Sequence, residues 1–341
     1  MALNQDELGF DTDRYISAQV KKIKYLLKKK RANRLYIEFG GKLIQDRHSA
    51  RVLPGYREDA KLEILKEIVQ GNGDLIFVVS GKDINRGRIR GDFDCSYDIE
   101  TLRTLEALSK RGLKVTKVVI SLLRFNEPIS NRVQNLAKKL QKKGITCYNF
   151  FAFDGYKENK FKMTEFSKNP FIPVDGKIVS IIGPGGGSGK FGIVVNQLYH
   201  EMNNGCSPDY LKFETYPVHD LDISHPINLA YMAASADFFD VVMRDIRHGK
   251  ATSYNRDIEN YEILKRLALN FPIEGVHLRK LSSATNMGIN MLTCGIINDQ
   301  IVRKEAAAEI ARRIIRYKHE VAEGIEDQKV LDRTREIIGM L

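Results

Sequence analysis

Between Lys177 and Lys190 an apolar, β-branched run ending at Ile182 feeds the stretch Gly183-Pro184-Gly185-Gly186-Gly187-Ser188-Gly189-Lys190, and a helical pattern follows. A strand that enters a glycine-rich turn and leaves as a helix has few folds open to it, and it is the way a chain cradles phosphate. Glycines allow the positive-φ conformations that turn successive N–H groups toward one anion. The helix then aims its positive dipole end at the same spot, and a lysine adds a full charge. The standard phosphate-loop pattern has glycine five residues before the Gly-Lys glycine and Ser or Thr after the lysine. Here those positions hold Pro184 and Phe191, so the hydroxyl that usually meets Mg²⁺ is missing from its place. Gly183, Gly185, Gly186, Gly187, Ser188, Gly189 and Lys190 are the expected cofactor-binding residues. The expected ligand is ATP or another nucleotide with Mg²⁺, or some other small phosphorylated molecule.

The 341 residues suffice for two or three domains with real cores. A net charge of +11 suits either a polyanionic partner or phosphorylated substrates and does not choose between them. Cys95, Cys147, Cys206 and Cys294 are far apart and form no CxxC pair, which argues against a zinc ribbon or a disulfide framework and for a reducing, cytoplasmic compartment. No signal-like apolar segment opens the chain, and no window reaches the ~18 apolar residues of a membrane span.

Short apolar runs at Leu35–Phe39, Leu75–Ser80, Val115–Leu122 and Thr146–Phe151 alternate with helical patterns at Glu58–Gln70, Asp98–Arg111 and Ile129–Lys143. This is the rhythm of βαβ units in a parallel sheet. The fold class expected is α/β, with three-layer Rossmann-like or P-loop-like parallel-sheet subdomains and a helical C-terminal subdomain. The segments are an N-terminal α/β domain at 1–153, a P-loop-like segment at 154–250 and a mainly helical part at 251–341. Residues 154–175 read as a linker or lid. The second segment continues through a helix at Ser188–Asn203 and a strand at Tyr210–Tyr216; further helices are expected at Ile258–Leu269, Arg303–Ala322 and Gln328–Met340.

Glu38-Phe39-Gly40-Gly41-Lys42 follows the first strand, with His48 and Arg51 close behind. Ligands of open α/β sheets bind beyond strand carboxyl ends, so Lys42, His48 and Arg51 are candidates for substrate contact; a glycine turn with surface charges is the plainer reading. Glu214 and His225, around the strand expected at Tyr210–Tyr216, and Asp237 are candidate catalytic or metal groups, with Asp240 and Asp245 as alternatives to Asp237. Asn255 and Arg256 read either as the start of a helix or as contacts to a transferring phosphate. The lysine-rich stretch 21–31 forms an amphipathic helix around Val20, Ile23 and Leu27, a solvated face first and a nucleic-acid contact second. His200-Glu201 lacks a histidine one turn on, since position 204 is Asn204, so no zinc is expected.

The series EFGGK at 38–42, HSARVLPGY at 48–56, RGDFDCSYD at 90–98, PGGGSGK at 184–190, LYHE at 198–201, KFETYPV at 212–218, HPINLAY at 225–231, YNRDIE at 254–259 and NMGINM at 286–291 resembles the uncharacterised bacterial protein family 0371, the domain of unknown function 1846. The resemblance implies a multi-subdomain α/β protein with a helical part and brings no established activity. The automatic name ATP-dependent zinc protease borne by some members is at odds with the missing HExxH. Members usually read PGPGSGK where this chain has Gly186, and DMG where it has Asn286-Met287-Gly288. They also continue past the equivalent of Leu341 into another α/β domain, so a short or truncated member is expected. The function expected is nucleotide or phosphometabolite binding, with Mg²⁺-dependent phosphotransfer or NTP hydrolysis as its catalytic form. A phospho-ligand sensor or structural binding protein, and a nucleic-acid-associated protein, are the alternatives; a homo-oligomer is expected.

Overall fold

The computed structural model describes residues 7–29, 32–70, 73–90, 93–156, 159–213, 216–236, 239–245, 247, 249, 251–271 and 277–341. Among them seven parallel strands form one sheet: β1 (Arg34–Phe39), β2 (Gly73–Ser80), β3 (Lys117–Arg124), β4 (Thr146–Ala152), β5 (Ile178–Ile182), β6 (Pro208–Phe213) and β7 (Gly288–Ile289). Their order across the sheet is β7-β6-β1-β5-β2-β3-β4. The helices are α1 (Thr12–Lys29), α2 (Arg47–Val52), α3 (Ala60–Val69), α4 (Gly81–Asn85), α5 (Tyr97–Lys110), α6 (Asn131–Lys142), α7 (Lys190–Asn203), α8 (Pro226–Ala234), α9 (Asn255–Asn270), α10 (Asp299–Ala322) and α11 (Gln328–Ile338).

The central strands are apolar on both faces because both are covered. Leu35, Ile37 and Phe39 join Phe77, Val79 and Ile120 in a core closed by Ile23 of α1, Ile64 of α3, Leu105 of α5, Ile227 of α8 and Ile310 of α10. The alternate residues Tyr36, Ile76, Val78, Val119 and Ile181 face the other way, onto Ile193 and Leu198 of α7 and Leu264 of α9. The period of two thus builds a helix–sheet–helix sandwich.

The pairing joins what the chain keeps apart. Leu35 of β1 lies opposite Ile178 of β5 on one side, and Tyr36 opposite Tyr210 of β6 on the other. The segments 1–153, 154–250 and 251–341 therefore share one sheet and both cores, with β5 inserted between β1 and β2 and β7 added from the last segment. Residues 154–175 also differ from a linker or lid. Met163–Lys168 form a 3-10 helix, Met163, Phe166, Ile172 and Val174 are buried, and Phe153, Phe161, Phe166 and Tyr199 pack ring to ring. Burying one such aromatic side chain contributes roughly 1.5–3 kcal/mol, which ties the segment down.

In α1, Tyr15, Val20 and Ile23 are buried, Leu27 is half-buried, and Lys21, Lys22, Lys24, Lys28 and Lys29 are exposed. Lys30 and Arg31 lie outside the described residues. Among the described residues no helix is long and apolar enough to cross a membrane.

Glu309 of α10 joins the C-terminal helices to the sheet domain. Its carboxylate takes a bidentate bond from Arg51 at 2.7 and 2.9 Å, and further bonds from His48, Arg312 and Arg313 at 3.2, 2.9 and 3.0 Å. Burial alone would raise this carboxyl; His48, Arg51 and Arg313 outweigh it and hold the group far below the usual carboxylate range. Breaking a buried charge network costs about 3–5 kcal/mol, because the partners are left uncompensated. Glu309→Gln is expected to lose stability of that order in urea unfolding near neutral pH. A carboxyl with a depressed folded pKa contributes its stability above its ordinary value of 4.5 and loses it as pH falls below. The gap between wild type and variant is therefore expected to narrow on acidification.

Candidate functional site

β1 and β5 are neighbours whose chains leave in opposite directions. The connection after β1 runs through α2 and α3 to β2, and that after β5 runs through α7 to β6. Two loops that diverge at the carboxyl ends of adjacent parallel strands leave a crevice between them, the place where open α/β sheets take ligands. Here the crevice is a cleft of about 790 Å³, lined on one side by Gly40, Gly41 and Lys42 and on the other by Gly185 to Gly192.

The glycine loop is shaped by close packing beneath it. A Cβ on Gly183 would lie 2.5 Å from the Val78 carbonyl oxygen, so the chain leaves β5 tight against the end of β2. Gly187 and Gly189 take φ of 74° and 84°, and Gly189, the residue before α7, would bring a Cβ to 2.9 Å from Ser121 Oγ. That Ser121 hydroxyl stands 2.5 Å from the Ser188 carbonyl, holding the loop onto the end of β3. Leu122 beside it has φ 55°, at a break in the β3–β4 register. Strained backbone of this kind is held only where the surroundings over-determine it.

Among the described residues, the N–H groups of Gly185, Gly186, Gly187 and Gly189 have no hydrogen-bond acceptor, and no side chain caps the start of α7. Lys190 turns back under the loop. Its ammonium donates to the Gly185 carbonyl at 2.7 Å and to Ser188 Oγ at 3.2 Å, both neutral. The side chain is only 5% exposed. Burial pushes this lysine down to about 8, against the pull of the Glu38 carboxylate, with Lys212, Lys61 and Arg256 adding to the depression.

Around this point the cleft is lined by matched charges. Lys61 pairs with Asp46 at 3.0 Å, Lys212 with Asp257, and Arg256 with Asp240 at 2.8 Å. Burial would raise Asp46, but Lys61 and His48 keep its carboxyl below the ordinary value. Glu38, near the end of β1, is buried and accepts a 2.7 Å hydrogen bond from Tyr210 of β6 through Oε2. Its Oε1 has no partner among the described residues and is not enclosed by protein. Tyr210 in turn packs edge-on against Phe191, the ring at the position where the standard phosphate-loop pattern has a hydroxyl, at 5.9 Å between centroids.

Of the residues singled out from the sequence, Gly185 to Lys190, Lys42, His48 and Arg256 line the cleft together. Gly183 lies beneath the loop and does not line it. His48 Nδ1 is bonded to Glu309 and its Nε2 is buried without a partner among the described residues; burial outweighs Glu309 and lowers its pKa. Arg51 is spent on Glu309, outside the lining. Asn255 is exposed at the start of α9 and does not line the cleft either. His225 is a structural cap: Nδ1 accepts from the Ile227 N–H at 3.2 Å and Nε2 bonds Asp299 at 3.0 Å. A histidine with both nitrogens so engaged, outside the lining, is not presented to a ligand in the cleft. Glu214 and Asp237 lie outside the described residues. His200 bonds the Asn169 carbonyl and Glu201 pairs with Arg34 and Tyr36, each committed to the fold.

Glu38, Lys61, Lys212 and Asp257 were not found from sequence. The signal for Glu38 was its place, a carboxylate just before a Gly-Gly turn at a strand end. Lys212 and Asp257 fall within KFETYPV and YNRDIE, and Lys61 shows no local pattern.

The family model described as "Domain of unknown function DUF1846, N-terminal" matches residues 8–340. This chain belongs to that family. Among DUF1846 relatives, a UPF0371 protein of Clostridium tetani is 38% identical over 98% of this chain and 66% of its own length. UPF0371 proteins of Clostridium botulinum (strain Eklund 17B / Type B) and of Fusobacterium nucleatum are each 37% identical, over 97% and 98% of this chain and 66% of theirs. The chain thus spans about two thirds of the length of the DUF1846 relatives it matches.

The loop geometry separates two glycines. Gly189→Ala forces a Cβ into positive φ and against Ser121, and is expected to cost more than about 1 kcal/mol. Gly186 has ordinary φ and open space around its Cβ position, so Gly186→Ala is expected to stay within about 0.5 kcal/mol. Thermal unfolding of the two variants side by side checks this.

Proposed function

We propose that this chain binds a phosphorylated small molecule in the cleft between β1 and β5, with Gly185 to Lys190 as the phosphate cradle and a nucleotide as the leading candidate. One observation carries the reading. Among the described residues the buried Lys190 ammonium has only neutral hydrogen-bond partners, and the nearby backbone N–H groups of Gly185, Gly186, Gly187 and Gly189 have no acceptor. Burying a cation that way is costly unless an anion completes the site. A phosphate group supplies the missing charge and several acceptor oxygens at once. Phosphoryl transfer or NTP hydrolysis is the catalytic form of the proposal, since such chemistry rests on positioning and charge stabilisation of this kind. The rival is a sensor that holds the ligand without turning it over. Phe191 favours it, because the metal-binding hydroxyl is absent from that position.

Lys190 is buried, so alanine would leave a void at this position. Lys190→Met keeps the volume and removes the charge. Its stability is expected within about 1.5 kcal/mol of wild type, the range of a volume-conserving swap. ATP or pyrophosphate at a hundred times its Kd is expected to add about 2.7 kcal/mol of apparent stability to wild type and none to the variant. Equal ligand stabilisation in both proteins refutes the cradle. Wild-type binding without phosphate release from any nucleotide selects the sensor.

The ammonium must also be protonated to serve. Binding of pyrophosphate measured by calorimetry is expected to weaken as pH rises above about 8, where the free protein's Lys190 loses its proton. Binding should take up protons in that range, because the anion raises the lysine's pKa. In the free protein the depressed lysine acts in the opposite sense. The unfolded chain binds more protons between about 8 and the ordinary 10.5, so this group makes stability rise with pH over that window.

A further inference from the structure

We propose that Glu38 is a protein ligand for a divalent cation, Mg²⁺ in kind, bridged to phosphate oxygens of the molecule held by Gly185 to Lys190; the proposal rests on the phosphate-cradle reading. The strand that carries Glu38 pairs directly with the strand that feeds the glycine loop, Glu38 lying opposite Ile181. Carboxylate and loop therefore emerge side by side at the same end of the sheet and line the same cleft.

Glu38 is 7% exposed. Tyr210 fixes one of its oxygens, and the other is without a partner among the described residues and open to the cleft. Position 191 cannot supply the usual hydroxyl. The Phe191 ring packs against Tyr210, so the substitution that removes one metal ligand supports the residue that orients another. Ser188, the nearest other hydroxyl in the loop, is 2% exposed and occupied by the Lys190 ammonium at 3.2 Å. Mg²⁺ keeps several waters and is commonly held by one or two carboxylates together with substrate phosphates. One oriented carboxylate beside a phosphate cradle meets that demand without an all-protein cage. The cation also offsets the repulsion that Glu38 would otherwise exert on a polyphosphate.

The test is calorimetric titration of the whole chain with tripolyphosphate, with Mg²⁺ present or with EDTA, for wild type, Glu38→Gln and Glu38→Asp. Gln keeps the shape and can still accept from Tyr210. Asp keeps the buried charge but withdraws it by one methylene, which guards against a Gln variant that fails to fold. Wild type is expected to bind more tightly with Mg²⁺. Even outer-shell partners of a metal are worth about tenfold in its affinity, so both variants are expected to lose at least that much of the Mg²⁺-dependent enhancement. Metal-free binding by Glu38→Gln should equal or exceed wild type, since a repelling charge is gone. Equal binding with Mg²⁺ and EDTA in wild type, or the full enhancement in either variant, overturns the metal site and leaves the cradle standing. Absence of tripolyphosphate binding by wild type under both conditions refutes the cradle itself.

Discussion

The parallel pairing of β1 with β5 is the contact on which the site depends. It joins Leu35 to Ile178 across a long stretch of chain and sets two strand ends side by side. One carries Glu38 and the Gly40-Gly41 turn, the other the glycine loop and Lys190. Because their outgoing connections cover opposite faces of the sheet, neither loop closes over the other, and the cleft follows from topology. A one-residue slip in this register would exchange the two faces of β1 and turn Glu38 out of the cleft.

Charge is distributed unevenly within that cleft. Asp46 with Lys61, Asp257 with Lys212 and Asp240 with Arg256 form pairs that hold their surroundings together. Among the described residues Lys190 lacks such a partner within hydrogen-bond reach and sits among neutral donors and acceptors of its own loop. A buried charge bound only to neutral groups leaves an unmet electrostatic demand. Buried charges of this kind are uncommon outside functional sites, since each costs stability. Glu309 illustrates the opposite arrangement, one carboxylate saturated by four cationic or histidine partners, and its role is to tie α10 to α2.

Much of the secondary structure was legible because apolar periodicity is a local property. β1, β4 and α7 fall within a few residues of where their patterns place them, and the glycines of 183–189 stand at a strand-to-helix turn as their spacing implies. Residues 154–175 were misread because aromatic packing shows no fixed period. Phe153, Phe161 and Phe166 are spaced irregularly along the chain, yet they pack on one another and reach Tyr199 of α7 through Phe166. His225 looked like a chemical group because histidine near carboxylates suits catalysis. Only its two hydrogen bonds reveal a helix cap. Arg51 does meet an anion, but that anion is the protein's own Glu309.

By itself the sequence determined the α/β class, the membership that its motifs announce, and the loop at 183–190 with its lysine. Those depend on neighbours along the chain: glycine's freedom at positive φ, the period of apolar residues, and the order of motifs. The tertiary structure alone decided which strand would stand beside the loop, and with it that Glu38 shares the cleft while His225 does not. It also decided that Lys190 is buried. Strand order and burial come from contacts between residues far apart in the chain, where a pairing's free energy depends on the whole sheet and its covering helices, and no local window of sequence contains that sum.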